Sequence, residues 1–136
     1  VPTAPLADPT SPQSRALTWL RSDSYSSALG LEKKLQRYAL ATFYYATGGE
    51  DWTDATVTDG FLQPIDECQW TSWVECSNGV SLDRVDLWLN GMNCTIPDDI
   101  GLLTALTELD WNQNYIRGTI PTTLGLLTQL TFLNMF

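Results

Sequence analysis

Three cysteines, sixteen carboxylates and no histidine set the chemistry open to this 136-residue chain. Without histidine there is no Ser–His–Asp or Cys–His site and no His-ligated metal. No Gly-rich phosphate loop and no paired CxxC motif occurs, so neither a metal nor a cofactor is expected. Cys68 and Cys76 flank the compact unit CQWTSWVEC. Bridged, they would close a small loop worth about 2–3 kcal/mol and imply an oxidising compartment. Cys94 is the odd cysteine and is expected as a buried free thiol, with an intermolecular bridge as the alternative. Asn93-Cys94-Thr95 is an N-glycosylation sequon. Asp86 and Asp110 recur in matching contexts, and on adjacent strands they would approach the roughly 5–5.5 Å of a retaining glycosidase pair. Any two neighbouring strands give that spacing, and no pocket is foreseen that would raise one carboxyl. No catalytic residue is assigned. Asp51 and Asp54 miss the spacing of a calcium loop. With Glu50, Asp59, Asp66 and Glu67 they read as a solvated acidic face.

The elements that position these residues begin with a proline-rich stretch, 1–10, read as an extended arm. Ser11-Pro12 is a helix start, Ser at the N-cap and Pro in the first turn, with a short helix expected to about Ser22. A second helix is expected from about Leu29 to Ala46, with Leu31, Leu35, Tyr38, Ala39, Thr42 and Ala46 forming the apolar stripe and Phe43 beside it. Lys33, Lys34 and Arg37 lie off that stripe. Gly48-Gly49 stops the helix. Residues 49–67 read as a loop pinned by Trp52, Phe61 and Leu62. Asn78-Gly79 predicts a hairpin between 73–77 and 80–85.

Charge is unevenly spread. Residues 1–46 carry five Lys/Arg and three Asp/Glu, whereas 47–136 carry only Arg84 and Arg117 against thirteen Asp/Glu. That surface repels phosphate backbones, so no nucleic-acid partner is expected. An apolar content of 43% argues against disorder, and no apolar run reaches a membrane span.

The strongest signal is a 24-residue self-similarity. Val85–Asn112 and Leu109–Phe136 share twelve of 28 positions, among them Asn90/Asn114, Ile96/Ile120, Pro97/Pro121, Leu103/Leu127, Leu106/Leu130 and Leu109/Leu133. Leu106-x-x-Leu109-x-Trp111 is a short strand with alternate side chains inward. Asn114 follows where the chain turns and can bond neighbouring coils through a buried amide, with Asn90 as its counterpart in an Asn ladder. Ile116 and Ile120 return to the core. Leu87, Trp111 and Met135 should stack inside, while Leu89 and Gln113 stay exposed. Each coil leaves apolar ends, so coils are stable only when stacked.

Asn114-x-Ile116-x-Gly118-x-Ile120-Pro121-x-x-Leu124-Gly125-x-Leu127 resembles the plant-type leucine-rich repeat. Ala39–Gly49, Trp52 and Cys68-x-Trp70…Cys76 resemble the paired-cysteine N-terminal cap of such proteins. With Pro12-Gln13…Ala16-Leu17-x-Trp19-Leu20, the pattern is similar to algal, notably diatom, members. The resemblance implies an α/β fold: a short right-handed leucine-rich-repeat solenoid with a helical, disulfide-bonded N-terminal cap at 11–81 and repeats at 82–136. Cys94 departs from the pattern by standing where Gly118 stands. Two coils and the strand of a third fit, so the chain is expected to continue beyond Phe136.

In this repeat class the outward strand side chains line the concave face. The resulting columns are Arg84/Glu108/Phe132, Asp86/Asp110/Asn134 and Trp88/Asn112/Phe136, acids mixed with aromatics as a binding patch requires. The resemblance implies a non-catalytic, receptor-like interaction module, secreted or at the cell surface, that binds protein, peptide or glycan. The rival reading is a structural subunit that docks its open C-terminal repeat edge into a larger assembly in an oxidising lumen such as that of a plastid.

Overall fold

A computed structural model describes residues 5–135. Residues 1–4 of the expected arm, and Phe136 of the third column, lie outside them. The described part of the arm is not extended: Pro5–Ala7 is a 3-10 turn, and Ser11 bonds back to the carbonyls of Pro5 and Asp8.

Helix α1 spans Pro12–Ser22, and Ser11 caps it by accepting the Ser14 N–H at 3.1 Å. Helix α2 spans Leu31–Ala46, starting two residues later than expected, behind Gly30. It ends before Gly48, whose φ of +71° turns the chain away. The expected stripe holds only in part. Leu31 and Leu35 face solvent, whereas Arg37 is fully buried. From Arg37 to Tyr44 α2 is enclosed from more than one side, so a single-stripe period no longer describes it. The segment 49–67 is also more ordered than a loop. Helix α3, Ala55–Gly60, is capped by Asp54, which accepts the Thr56 N–H at 2.9 Å. Glu67 is fully buried rather than part of a solvated acidic face.

Arg37 explains that burial. Its guanidinium meets Asp23 at 2.6 Å and Glu67 at 2.9 Å, and bonds the Ser26 hydroxyl at 2.9 Å and the Ile65 carbonyl at 2.7 Å. Trp19, Tyr25 and Trp70 surround it with ring centroids 5.2, 4.9 and 5.0 Å away. Lys33 extends the network to Asp66 at 3.0 Å and Glu67 at 3.1 Å. The disulfide Cys68–Cys76 sits beside it, with Lys33 Nζ 3.3 Å from Cys68 Sγ, and Cys94 is free and half-buried.

One sheet runs in the order β1-β2-β3-β4: Val74–Glu75, Arg84–Asp86, Glu108–Asp110 and Phe132–Asn134. The hairpin at Asn78-Gly79 exists, but its strands start farther out, pairing Val74 with Val85 and Glu75 with Arg84. Asn78 fills the turn by accepting the Val80 and Ser81 N–H groups. Strands β2, β3 and β4 are parallel, with Val85, Leu109 and Leu133 in register. The 24-residue self-similarity is therefore the strand-to-strand step.

Stacking decides burial at equivalent positions. Ile96 is 8% exposed beneath the next coil, while its counterpart Ile120 is 58% exposed, so Ile120 does not return to the core as expected. Leu109 is fully buried and Leu133 is 40% exposed. The same side chain thus gains or lacks about half of the roughly 1.5–3 kcal/mol that full burial contributes, according to its neighbour. Leu87 and Trp111 are fully buried, whereas Leu89 and Gln113 are exposed. An aromatic chain joins the helical part to the repeats. Trp70 packs on Phe61, Phe61 on Trp52, Trp52 on Phe43, and Phe43 stacks on Trp111 with centroids 5.1 Å apart.

Leu89 and Gln113 occupy equivalent turns with φ of +54° and +56°, a left-handed conformation unfavourable to branched side chains. Leu89 is 55% exposed and gains little packing in return. Replacing it by Asn, which tolerates that region, is expected to stabilise the protein by about 0.5–1 kcal/mol. A urea titration with an unchanged or lower midpoint would show that Leu89 is not strained.

Candidate functional face

The outward side chains of β2–β4 fall in the expected columns. Arg84 lies against Glu108 and then Phe132, and Asp86 against Asp110 and then Asn134. Alternation produces the face. Val85 and Leu109 point inward and are buried, so their neighbours must point out. Arg84 is the only cation there and is shared among three acids: Glu75 at 3.2 Å, Glu108 at 3.4 Å and Asp86 at 3.4 Å. Asp110 accepts the Asn112 N–H at 2.9 Å and the Asn134 amide at 3.4 Å. Arg84, Asp86, Glu108, Asp110 and Phe132 border a depression of about 200 Å³. That volume falls below the roughly 300–1,000 Å³ of small-molecule pockets.

Strand β1 widens the face beyond the expected columns. Glu75 adds a carboxylate beside Arg84, and Trp73 packs edge-on against Trp88 with ring centroids 6.3 Å apart. Trp88 remains 41% exposed, so the pair is held yet accessible. Neither Trp73 nor Glu75 was singled out in the sequence. The Asn-Gly turn was the available signal, because a strand paired with β2 necessarily presents alternate residues on the same face.

Burial, then the neighbouring Asp110 carboxylate, raise the Asp86 carboxyl above its ordinary value, outweighing the Arg84 guanidinium and the Trp88 N–H, which act to lower it. An acid whose folded pKa is raised favours unfolding once ionised. Asp86→Asn is therefore expected to raise stability at neutral pH, measured by urea denaturation, while weakening a cationic ligand. A loss of stability would mean that the Arg84 contact outweighs burial and repulsion.

Asn114 ties this face to the turns behind it. Its Oδ1 accepts the N–H groups of Asn90 and Met92, both at 3.0 Å, and its Nδ2 donates to the carbonyls of Leu87 and Trp111, both at 2.9 Å. Asn90, one coil earlier, accepts the Asp54 N–H at 3.3 Å and so links the repeat to α3. Asn93 is exposed on the flank, next to Arg117. Among the described residues no cluster of three or more His, Cys, Asp or Glu could hold a metal, and no helix is long and apolar enough to cross a membrane.

Parallel strands one repeat apart, an Asn bridge between coils and a disulfide-bonded helical segment describe a fold that resembles a leucine-rich-repeat ectodomain. Among solved structures, the chain is similar to the leucine-rich-repeat ectodomain of the receptor kinase SOBIR1 from Arabidopsis thaliana. The TM-score is 0.55 at 19% identity, over 73% of this chain and 51% of that one. The chain thus spans about half the length of the ectodomain it matches. No protein-family model and no curated protein matches it.

Proposed function

We propose that this chain is a non-catalytic recognition module of a secreted or cell-surface, receptor-like protein of the plant or algal repeat class. Residues 11–81 act as its cap and 82–136 as its first repeats. The face carried by Arg84, Asp86, Trp88, Glu108, Asp110, Asn112, Phe132 and Asn134 is its binding surface. The observation that carries this is the Trp73–Trp88 pair beside Glu75, Asp86, Glu108 and Asp110, with Arg84 the one cation among them. An exposed aromatic anchor next to uncompensated carboxylates suits a basic protein or peptide segment. A neutral glycan is the second ligand class that Trp88 accommodates. The disulfide supports an extracellular or lumenal setting.

Selection of a displayed random-peptide library on the immobilised chain tests this. Lys/Arg-rich sequences with an apolar or aromatic residue are expected to be enriched. Trp88→Ala is expected to weaken them about thirtyfold, roughly 2 kcal/mol. Peptides that bind Trp88→Ala and Asp110→Asn as well as they bind the parent chain would show that the face is not the binding surface.

A second reading rests on the opposite end of the sheet. Ile120 and Leu133, whose counterparts Ile96 and Leu109 are buried one coil earlier, are exposed at the β4 end of the stack. As a structural subunit, the chain would dock through that edge rather than bind across the face.

A further inference from the structure

We propose that Asn93 carries an N-linked glycan whose first sugar lies against Tyr115, on the flank of the repeats and away from the sheet face. This rests on the extracellular reading only for the natural route of the chain; the acceptor site itself stands on local structure. Asn93-Cys94-Thr95 is the sole Asn-x-Ser/Thr triplet in the sequence. It lies in the segment that leaves β2, where Met92 and Ile96 are buried and Asn93 and Thr95 are exposed. Asn93 uses its side-chain oxygen to accept from Arg117. The amide nitrogen, the atom that bears the sugar, is therefore directed away from that contact.

The surroundings can receive a sugar. Asn93, Tyr115, Ile116 and Arg117 line an open concavity of about 450 Å³. Tyr115 is 70% exposed, and its backbone N–H is fixed on the Met92 carbonyl at 2.7 Å. An exposed ring on a held backbone offers its apolar face to the C–H groups of a pyranose, and its hydroxyl to solvent. Arg117 supplies hydrogen-bond donors beside it.

The transfer balances with a lipid-diphosphate-linked oligosaccharide as donor. Asn93 Nδ2 forms a bond to C1 of the terminal sugar, and the C1–O bond to the diphosphate breaks. The lipid diphosphate leaves with the bonding electrons, and the amide gives up one proton. Thr95 supplies the hydroxyl that the transferase reads. The product projects from the flank and leaves Arg84, Asp86, Trp88 and Asp110 open. A partner would then approach the sheet face while the turn side is shielded.

The test expresses the full chain behind a cleavable secretion leader in eukaryotic cells. Peptide N-glycosidase digestion in heavy-oxygen water then marks the glycosylated asparagine by mass spectrometry. Labelled Asp at position 93 is expected in most of the secreted protein, lost in N93Q and T95A and kept in T95S. Translation with microsomes reads the same modification for any variant that fails to leave the cell. Unlabelled Asn93 in secreted protein that carries the Cys68–Cys76 bridge would overturn the site. On the folded glycoprotein, Tyr115→Ala is expected to speed enzymatic glycan release at least threefold. An unchanged rate would overturn the placement on Tyr115. Library peptides should bind N93Q and the glycoprotein alike, so failure of the sheet-face reading and failure of the glycan site give separate results.

Discussion

Arg37→Met is expected to cost about 3–5 kcal/mol of stability, the loss typical of breaking a buried ion pair from one side. Methionine restores most of the volume but leaves Asp23, which the guanidinium now holds at 2.6 Å, without a counter-charge in an enclosed site, and leaves Glu67, now held at 2.9 Å, with Lys33 alone at 3.1 Å. The Ser26 hydroxyl and the Ile65 carbonyl lose a donor as well. Against the roughly 5–15 kcal/mol that stabilises a domain, such a loss leaves the helical part barely folded. Adding Asp23→Asn and Glu67→Gln lowers the excess buried negative charge and is expected to recover part of the loss. Urea denaturation of the two proteins measures both effects. A single variant within 1 kcal/mol of the parent would show that the network does not hold α1, α2 and the 63–67 segment together.

The same network sets a pH dependence. Burial works to raise the Asp23 carboxyl, but hydrogen bonds from Ser26 and Arg37 and the Arg37 charge outweigh it and hold it below its ordinary 3.8. At Asp66 burial is likewise outweighed, by the Cys68 N–H and by Lys33, and the carboxyl is lowered. Both groups bind protons more readily when unfolded. Their contribution is complete above the unfolded value near 3.8 and is lost as pH falls through the lower, folded values.

Asn114→Leu is expected to cost about 3 kcal/mol, because a shape-matched apolar side chain cannot replace either half of the amide. The Asn90 and Met92 N–H groups lose their acceptor, and the Leu87 and Trp111 carbonyls lose their donor. Asn114→Asp, which keeps the acceptor but not the donor, is expected to fall between parent and Leu. The effect is local as well as global. Hydrogen exchange at the Asn90 and Met92 amides should accelerate while α2 amides stay protected. Equal acceleration everywhere would mean that the residue acts through global stability alone and not as a tie between coils.

The repeats were legible because self-similarity fixes a register without any tertiary information. The 24-residue offset became the pairing of Val85, Leu109 and Leu133, and the Asn90/Asn114 positions became side-chain bridges. The columns of the sheet face follow from that offset together with the leucine-rich-repeat resemblance, which puts the outward strand side chains on one face. Arg37 was not legible. Helical periodicity assigns a face by neighbours three and four residues away, and here Leu31 and Leu35 mark the side that meets solvent. What buries Arg37 comes from Asp23, Glu67 and three aromatic rings distant in sequence, and no local period carries that. The exposure of Ile120 beside the burial of Ile96 shows the converse limit: identical residues in identical motifs are separated only by what lies above them.

Binding across the sheet face leaves a different footprint on the backbone amides from docking at the β4 edge. Hydrogen exchange of the chain, free and saturated with a library-selected basic peptide, reads that footprint. Protection is expected at the backbone amides of β1, β2 and β3 and their flanks, including Trp73 and Trp88, with Ile120–Leu127 unchanged. Protection confined to Ile120–Leu127, with amides around Trp73 and Trp88 exchanging as in the free chain, would place the partner at the edge instead. The chain would then be a subunit that docks by its open end.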